Sequence, residues 1–209
     1  MTNERTATTT QESDEAAFTA TLRDALAAVD EAGIEYLLMG GIGSATLGRP
    51  RFTHDIDLFV KPDGARPSLD ALARAGFETE TTDPHWLYKG FKRDAMVDII
   101  FRSAGEIYLD DVMLARASDA DVLGCTARVI APEDLLVIKV VVADEHIPRH
   151  WYDALGIVAR CDLDWDYLQW RALQHGTRRV LSLLLYAQSN DVAVPAAPVQ
   201  HLFAALYES

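Results

Sequence analysis

The stretch Tyr36–Val60, YLLMGGIGSATLGRPRFTHDIDLFV, decides how this chain is read. An apolar run of strand length, Tyr36 to Met39, meets Gly40 and Gly41 and passes through Gly43 and Ser44. A second apolar run follows, and it carries Asp55 and Asp57. The pattern predicts strand, glycine turn, a short helix beginning near Ser44, and strand. Side chains alternate faces along a strand, so Asp55 and Asp57 share a face while Ile56 turns into the core. Two carboxylates so placed repel, and a divalent cation between them lets both stay ionised. The glycines let backbone come close to a bulky anion, and the helix N-terminus directs free N–H groups and its positive dipole end at it. Phosphates and magnesium suit this local chemistry.

A further carboxylate, Asp98, lies inside Met96-Val97-Asp98-Ile99-Ile100, where a lone charge costs several kcal/mol unless paired or metal-bound. Gly40-Gly41-Ile42-Gly43-Ser44, a spacer of about ten residues, Asp55-Ile56-Asp57 and then Asp98 form an ordered set more specific than any one part. At these residues the sequence resembles the nucleotidyltransferase superfamily related to DNA polymerase beta. Its signature is Gly-Gly-x-Gly-Ser, a spacer, Asp-x-Asp and a third carboxylate on a later strand. The resemblance covers about residues 35 to 155.

The chain has 209 residues and 49% hydrophobic content, enough for one good core or two small ones. A net charge of -13 argues against broad binding to nucleic-acid backbone, although a local basic patch still permits an RNA substrate. Cys125 and Cys161 lack metal spacing and read as reduced packing residues, which places the protein in the cytoplasm. No run has the length and apolarity of a signal peptide or membrane span. The six histidines form no zinc pattern, and His150, beside Trp151 and Tyr152, reads as a surface residue or one at a cleft mouth.

Residues 1–12 are polar and threonine-rich and predict a disordered tail, with a helix from Ser13 through Phe18, Leu22, Leu26 and Val29 to Gly33. Leu69 and Leu72 mark a helix closed by Gly76. Phe77–Glu80, Trp86–Phe91 and Met96–Phe101 read as strands, the last two a hairpin turned at Lys92, Arg93 and Asp94. Residues 104–124 look irregular to helical, and Ala127–Ile130 reads as a last strand. From Pro132, a residue suited to N1 with Glu133 and Asp134 in the first turn, the periodicity is helical to the end. The fold class expected is α+β: a small mixed sheet with flanking helices over residues 13–131, then a helical bundle over 132–209 completing a nucleotide cleft.

Lys139 sits in a helix apolar almost all round, so it either snorkels to solvent or faces an anion. The resemblance extends here to the nucleotidyltransferase-like toxins of bacterial toxin–antitoxin pairs. These have a Pro-Glu-Asp-Leu helix ending in a triphosphate-contacting lysine, with an aspartate on the next helix. Lys139 and Asp153 match those places. By spacing, Asp153 is equally a structural partner of Arg149. Arg51 reaches the triphosphate or the acceptor, or is a solvated loop charge. Arg171, Arg178 and Arg179 read as the solvated side of late helices.

The resemblance implies a nucleotidyltransferase that transfers a nucleoside monophosphate from a nucleoside triphosphate to an acceptor hydroxyl. Asp55, Asp57 and Asp98 would hold two Mg2+ ions, and Asp98 could also accept the hydroxyl proton. Gly40, Gly41, Gly43, Ser44, Arg51 and Lys139 would bind the nucleotide, and Asp153 would join the catalytic set. The acceptor expected first is the 3′ end of a tRNA, the chain acting as a toxin with a cognate antitoxin protein. An aminoglycoside-like antibiotic, a protein acceptor and an inactive binding module are the alternatives. A basic groove beside the cleft would favour RNA, and an acidic one a cationic small molecule.

Overall fold

The computed structural model of the protein describes residues 2–51 and 53–208, with side chains from Asp14 onward. Elements run in the order α1 (Thr2–Glu31), β1 (Tyr36–Leu38), α2 (Gly40–Leu47), β2 (Asp55–Val60), α3 (Pro62–Arg74), β3 (Glu78–Asp83), β4 (Leu87–Lys92), β5 (Ala95–Ile100) and α4 (Asp111–Arg116). Then come β6 (Ser118–Val122), β7 (Cys125–Val129), α5 (Pro132–Val142), α6 (Arg149–Arg160), α7 (Trp165–His175), α8 (Thr177–Ser189) and α9 (Ala196–Tyr207). The α1 backbone is helical from Thr2, upstream of the start expected at Ser13. Side chains of the expected tail, residues 1–12, lie outside the described residues.

Among the described residues the strands form one seven-stranded sheet, β3-β4-β5-β2-β1-β7-β6. β2 pairs with β5 and β1 with β7 in parallel; the other neighbours are antiparallel. Period-2 alternation divides the core between the two faces. Tyr36, Leu38, Ile56, Leu58, Val97 and Ile99 pack with Phe18, Leu22, Leu26 and Val29 of α1 and Leu69 and Leu72 of α3. Leu37, Met39, Phe59, Leu87 and Ile100 turn the other way, toward Leu135 and Ile138 of α5, Ile157 of α6, Leu168 of α7 and Leu184 of α8. Helix α5 is apolar on all sides because sheet and helices enclose it. Each fully buried aliphatic side chain there contributes about 1.5–3 kcal/mol. The fold is therefore α+β, with the C-terminal helices laid on the sheet face that also bears Asp55 and Asp57.

The hairpin forms where expected, with Arg93 and Asp94 at φ 52 and 61, a two-residue turn whose twist suits antiparallel strands. The region read as irregular to helical contains a strand: β6 pairs with β7 around Leu123-Gly124. Its sequence, Ser-Asp-Ala-Asp-Val, lacks a hydrophobic pattern because it is an edge strand facing water. Pro132 does begin α5, but Glu133 and Asp134 are buried structural anchors beyond any dipole effect. Glu133 Oε1 accepts from the Asp164 N–H at 2.7 Å, and Asp134 accepts from the Tyr167 hydroxyl at 2.8 Å.

Of the late arginines read as solvated, Arg178 and Arg179 are exposed and Arg171 is not. Arg171 is 1% exposed and forms ion pairs with Asp110 and Asp134 at 2.7 and 2.8 Å. Arg179 donates to the carbonyls of Val140 and Ala143 at the end of α5, and Arg178 donates to the Tyr207 hydroxyl. Cys125 and Cys161 are free thiols, buried and partly buried, and the Cys161 thiol donates to Leu47 O at 2.8 Å.

One contact ties the glycine motif to the helical half. A β-carbon on Gly48, just after α2, would lie 2.6 Å from Gly156 O in α6, so the two backbones touch. Only glycine permits that approach.

Candidate active site

The carboxylates are brought together by strand register. β2 and β5 run parallel with Asp55 opposite Met96 and Asp57 opposite Asp98, so the three acids share the face that the pleat assigned them. Across the next ladder, Lys89 of β4 is opposite Asp98, and its Nζ donates to Asp98 Oδ1 at 2.6 Å. Lys89, Asp98 and Asp57 thus form one row across three strands. Burial, then the charge of Asp98, lifts the Asp57 carboxyl to about 6. Burial also raises Asp98, although the Lys89 ammonium pulls it down.

The row ends at α2. The helix begins at Gly40, with Met39 as its N-cap, earlier than the start expected near Ser44. Gly40 has φ +60, and the Gly41 N–H donates to Asp57 Oδ2 at 3.3 Å. Ser44 is buried in the first turns and gives its hydroxyl proton to Gly40 O at 2.8 Å. A β-carbon on Gly41 would be 2.5 Å from Thr53 Oγ1, and one on Gly43 3.1 Å from Leu135 Cδ2. The glycines therefore serve close packing around Asp57, where the sequence suggested an open anion loop. Thr53 Oγ1 in turn accepts from the Asp55 N–H at 3.4 Å.

A cationic cluster adjoins this row. Asp153, 0% exposed on α6, accepts from Arg49 Nη1 at 3.0 Å and from Arg51 Nε and Nη2 at 3.2 and 3.1 Å. Lys139 Nζ lies 3.3 Å from Asp153 Oδ2 and is 3% exposed, so it does not snorkel. Burial pushes Asp153 upward, but the Arg51 hydrogen bond and the Lys139 charge outweigh it and hold the carboxyl below its usual range. Burial lowers Lys139, opposed by Asp153 and then Asp57. The partners of Asp153 are Arg49, Arg51 and Lys139; the helical spacing to Arg149 was misleading. Three cations on one carboxylate leave an excess of positive charge beside the acidic row, which is what a polyphosphate bridging the two would meet.

A cavity of about 400 Å³ opens between sheet and helices. Asp57, Lys139, His150, Arg102, Ser103 and Glu106 supply its polar lining, and Met39, Trp86, Ile100, Leu135, Ile138 and Val142 much of its apolar wall. His150, half-buried, has Nδ1 3.5 Å from Lys139 Nζ, so of its two expected places the cleft is the one it takes. Burial, then the Lys139 charge, lowers its imidazole to about 4.

The profile of a family described as "Uncharacterised nucleotidyltransferase" matches residues 3–190. The chain belongs to that nucleotidyltransferase family. Among solved structures, this nucleotidyltransferase is similar to an antigenic nucleotidyltransferase-like protein from Paracoccidioides brasiliensis, at 15% identity and TM-score 0.51, over 86% of this chain and 91% of that one. Looser likenesses are to the lincosamide antibiotic adenylyltransferase LnuA, lincomycin-bound (17%, TM-score 0.48, 66% of this chain and 96% of that one), and to ANT(2")-Ia in complex with adenylyl-2"-tobramycin (20%, TM-score 0.45, 90% and 95%). The first likeness supports the shared fold; the two looser ones add nothing to it. No curated protein matches the sequence.

The family chemistry calls for a divalent cation, and the enzyme's donor set suits one. Asp55, Asp57 and Asp98 offer hard carboxylate oxygens on one face of adjacent strands, and burial, then the Asp98 charge, lifts the Asp57 carboxyl. Among the described residues no three His, Cys, Asp or Glu side chains converge into a complete metal cage. Sequence reasoning missed Lys89 and the pairing of Arg49 with Asp153. Lys89 was within reach: counting back from the Arg93-Asp94 turn, Lys92 faces Ala95 and Lys89 faces Asp98. Arg49 has no local signal, because its partner Asp153 is 104 positions away. Among the described residues no helix is long and apolar enough to cross a membrane.

Proposed function

We propose that this nucleotidyltransferase moves a nucleoside monophosphate from a nucleoside triphosphate, with Mg2+, to a hydroxyl of a small acceptor seated in the cavity. The cavity carries this reading: it is of ligand size, largely apolar, and lined in part by Asp57 and Lys139. The cations nearest it support a compact acceptor over a long polyanion. Arg49, Arg51 and Lys139 engage the buried Asp153, Arg102 pairs with Glu106, and the whole chain carries -13.

Asp55, Asp57 and Asp98 hold the metal, whose chemistry is to orient the phosphates and offset charge on the attacking and leaving oxygens. Gly40 and Gly41 bring backbone against Asp57 and fix its carboxylate. Lys139 and Arg51 face the triphosphate and neutralise the departing pyrophosphate. Asp153 acts through those two cations and does not itself touch the reacting atoms; it is a positioning residue. The apolar helix α5 excludes water from one side of the site.

The test is incubation with each labelled nucleoside triphosphate and Mg2+ against aminoglycosides and other hydroxylated small molecules, total RNA, and the protein alone. Label on a small molecule, lost with chelator, is the expected result. Label at the 3′ end of tRNA would instead identify the RNA-modifying toxin that the sequence resemblance implies. Label on protein would point to self- or partner modification.

A further inference from the structure

Lys89 stands where no nucleotide-binding motif put it. Strand register holds it directly across from Asp98, and both side chains are largely buried, at 18% and 15% exposure. Its ammonium donates to Asp98 Oδ1 at 2.6 Å and to the neutral sulfur of Met96 at 3.0 Å. Asp98 is thus its ion-pair partner, and among the described residues no second carboxylate pairs with it. The other cations of the site, Arg49, Arg51 and Lys139, have Asp153 as their ion-pair partner, whereas Lys89 pairs with Asp98 in the acidic row. A lysine, unlike an arginine fork, is a point charge on a flexible stem, able to release one oxygen without breaking a bidentate contact.

We propose that Lys89 is a resident counter-cation that competes with the divalent metal for Asp98, so that metal enters the carboxylate row tightly only when nucleotide phosphates come with it. The proposal rests on Asp98 belonging to the metal-binding row, as in the function proposed above. Without nucleotide, a metal ion at Asp98 must displace a desolvated ammonium already hydrogen-bonded there, and the exchange gains little. With nucleotide, the phosphates add their own oxygens and charge to the metal's side, and the exchange becomes favourable. Lys89 is then a positioning residue that couples two ligands, suppressing futile metal occupancy and making nucleotide binding and metal binding mutually dependent.

Mn2+ binding, followed by its paramagnetic signal with and without a non-hydrolysable nucleoside triphosphate analogue, tests this. Wild type should bind Mn2+ weakly alone and tightly with the analogue. Lys89→Gln, which keeps an N–H donor but not the charge, should bind Mn2+ alone roughly tenfold tighter. Lys89→Arg should bind Mn2+ alone no tighter than wild type and gain less from the analogue, because a bidentate fork is harder to displace, and in an Asp98→Asn background Lys89→Gln should bring no gain. Equal affinity in Lys89→Gln and wild type overturns the proposal, as does an equal gain in the Asp98→Asn background, which would mark a general charge effect. If even wild type with analogue binds no Mn2+, the carboxylate reading of the active site falls first and this inference with it. Should Lys89→Gln not fold, acylation of Lys89 in wild type supplies the answer. Labelling that rises when Mg2+ and analogue are added together supports displacement, and unchanged labelling refutes it.

Discussion

A β-carbon built on Gly40 would lie 1.8 Å from Asp57 Oδ2, so the first glycine of the motif exists to let one carboxylate occupy the helix start. Gly40 also has φ +60, where a side chain costs about 1–2 kcal/mol. Gly40→Ala should therefore lose that stability and displace Asp57, with turnover down roughly 10²-fold. Melting temperature and steady-state kinetics measured together check this; an active variant would show that Asp57 has room to move.

Asp57 itself should separate function from stability. Burial and the neighbouring Asp98 charge hold its carboxyl up at about 6, so its charged form is disfavoured in the fold. Asp57→Asn removes that repulsion and should melt no lower than wild type at neutral pH. Turnover should fall roughly 10³-fold, the effect of losing a central charge-stabilising group. A variant that turns over normally would remove Asp57 from the metal site.

Lys139 is buried against Asp153, and Arg49 and Arg51 stay behind when it is removed. Lys139→Ala should accordingly keep the melting point of the nucleotide-free protein within a few degrees. It should lose most of the rise that nucleotide brings. Lys139→Arg should recover only part, because a planar fork replaces a point charge in a closed space. Differential scanning fluorimetry with and without nucleoside triphosphate distinguishes these; a full nucleotide-induced rise in the alanine variant would exclude the triphosphate role.

His150 supplies a pH signature. Burial and Lys139 depress its imidazole from 6.5 to about 4, so between those pH values the unfolded chain binds a proton that the folded protein refuses. Its effect on stability is nil above the unfolded value, grows as pH falls through the window, and is complete below the folded value. Discounted for partial exposure, wild type should lose about 1–2 kcal/mol more than His150→Asn between neutral pH and the lower end. Urea unfolding at a series of pH values measures the difference; parallel curves for the two proteins would show that the ring is freely solvated.

What could be read from the sequence was whatever repeats locally. Asp55, Ile56 and Asp57 declare their faces by alternation, and the Arg93-Asp94 turn fixes the hairpin. The Pro132 start is fixed by proline's own geometry. The identity of partners was not local. Asp153 lies far along the chain from Arg49 and Arg51, so the i,i+4 rule pointed to Arg149 and missed a cluster that only tertiary packing assembles. Arg171 looked solvated because a charged residue in a helix usually is, and the two carboxylates that bury it belong to other elements. Strand β6 escaped because an edge strand facing water carries no apolar alternation. The glycine motif was placed between the two strands but read as a turn ahead of Ser44 where the helix already begins at Gly40, and its role as a packing device around Asp57 depends on distances that residue types do not encode.

Backbone pressed on backbone at Gly48 and Gly156 is a seam that any opening between the sheet and the helical half would have to break. Swinging the helical half away from the sheet would part that seam and strip buried Asp153 of its arginines, a penalty of several kcal/mol that ordinary substrate binding would have to meet at every cycle. The expected consequence is a rigid mould. Scattering profiles with and without nucleotide should superimpose, and the pace of the catalytic cycle should be set by side chains making way inside a standing slot, with no jaw to open or shut.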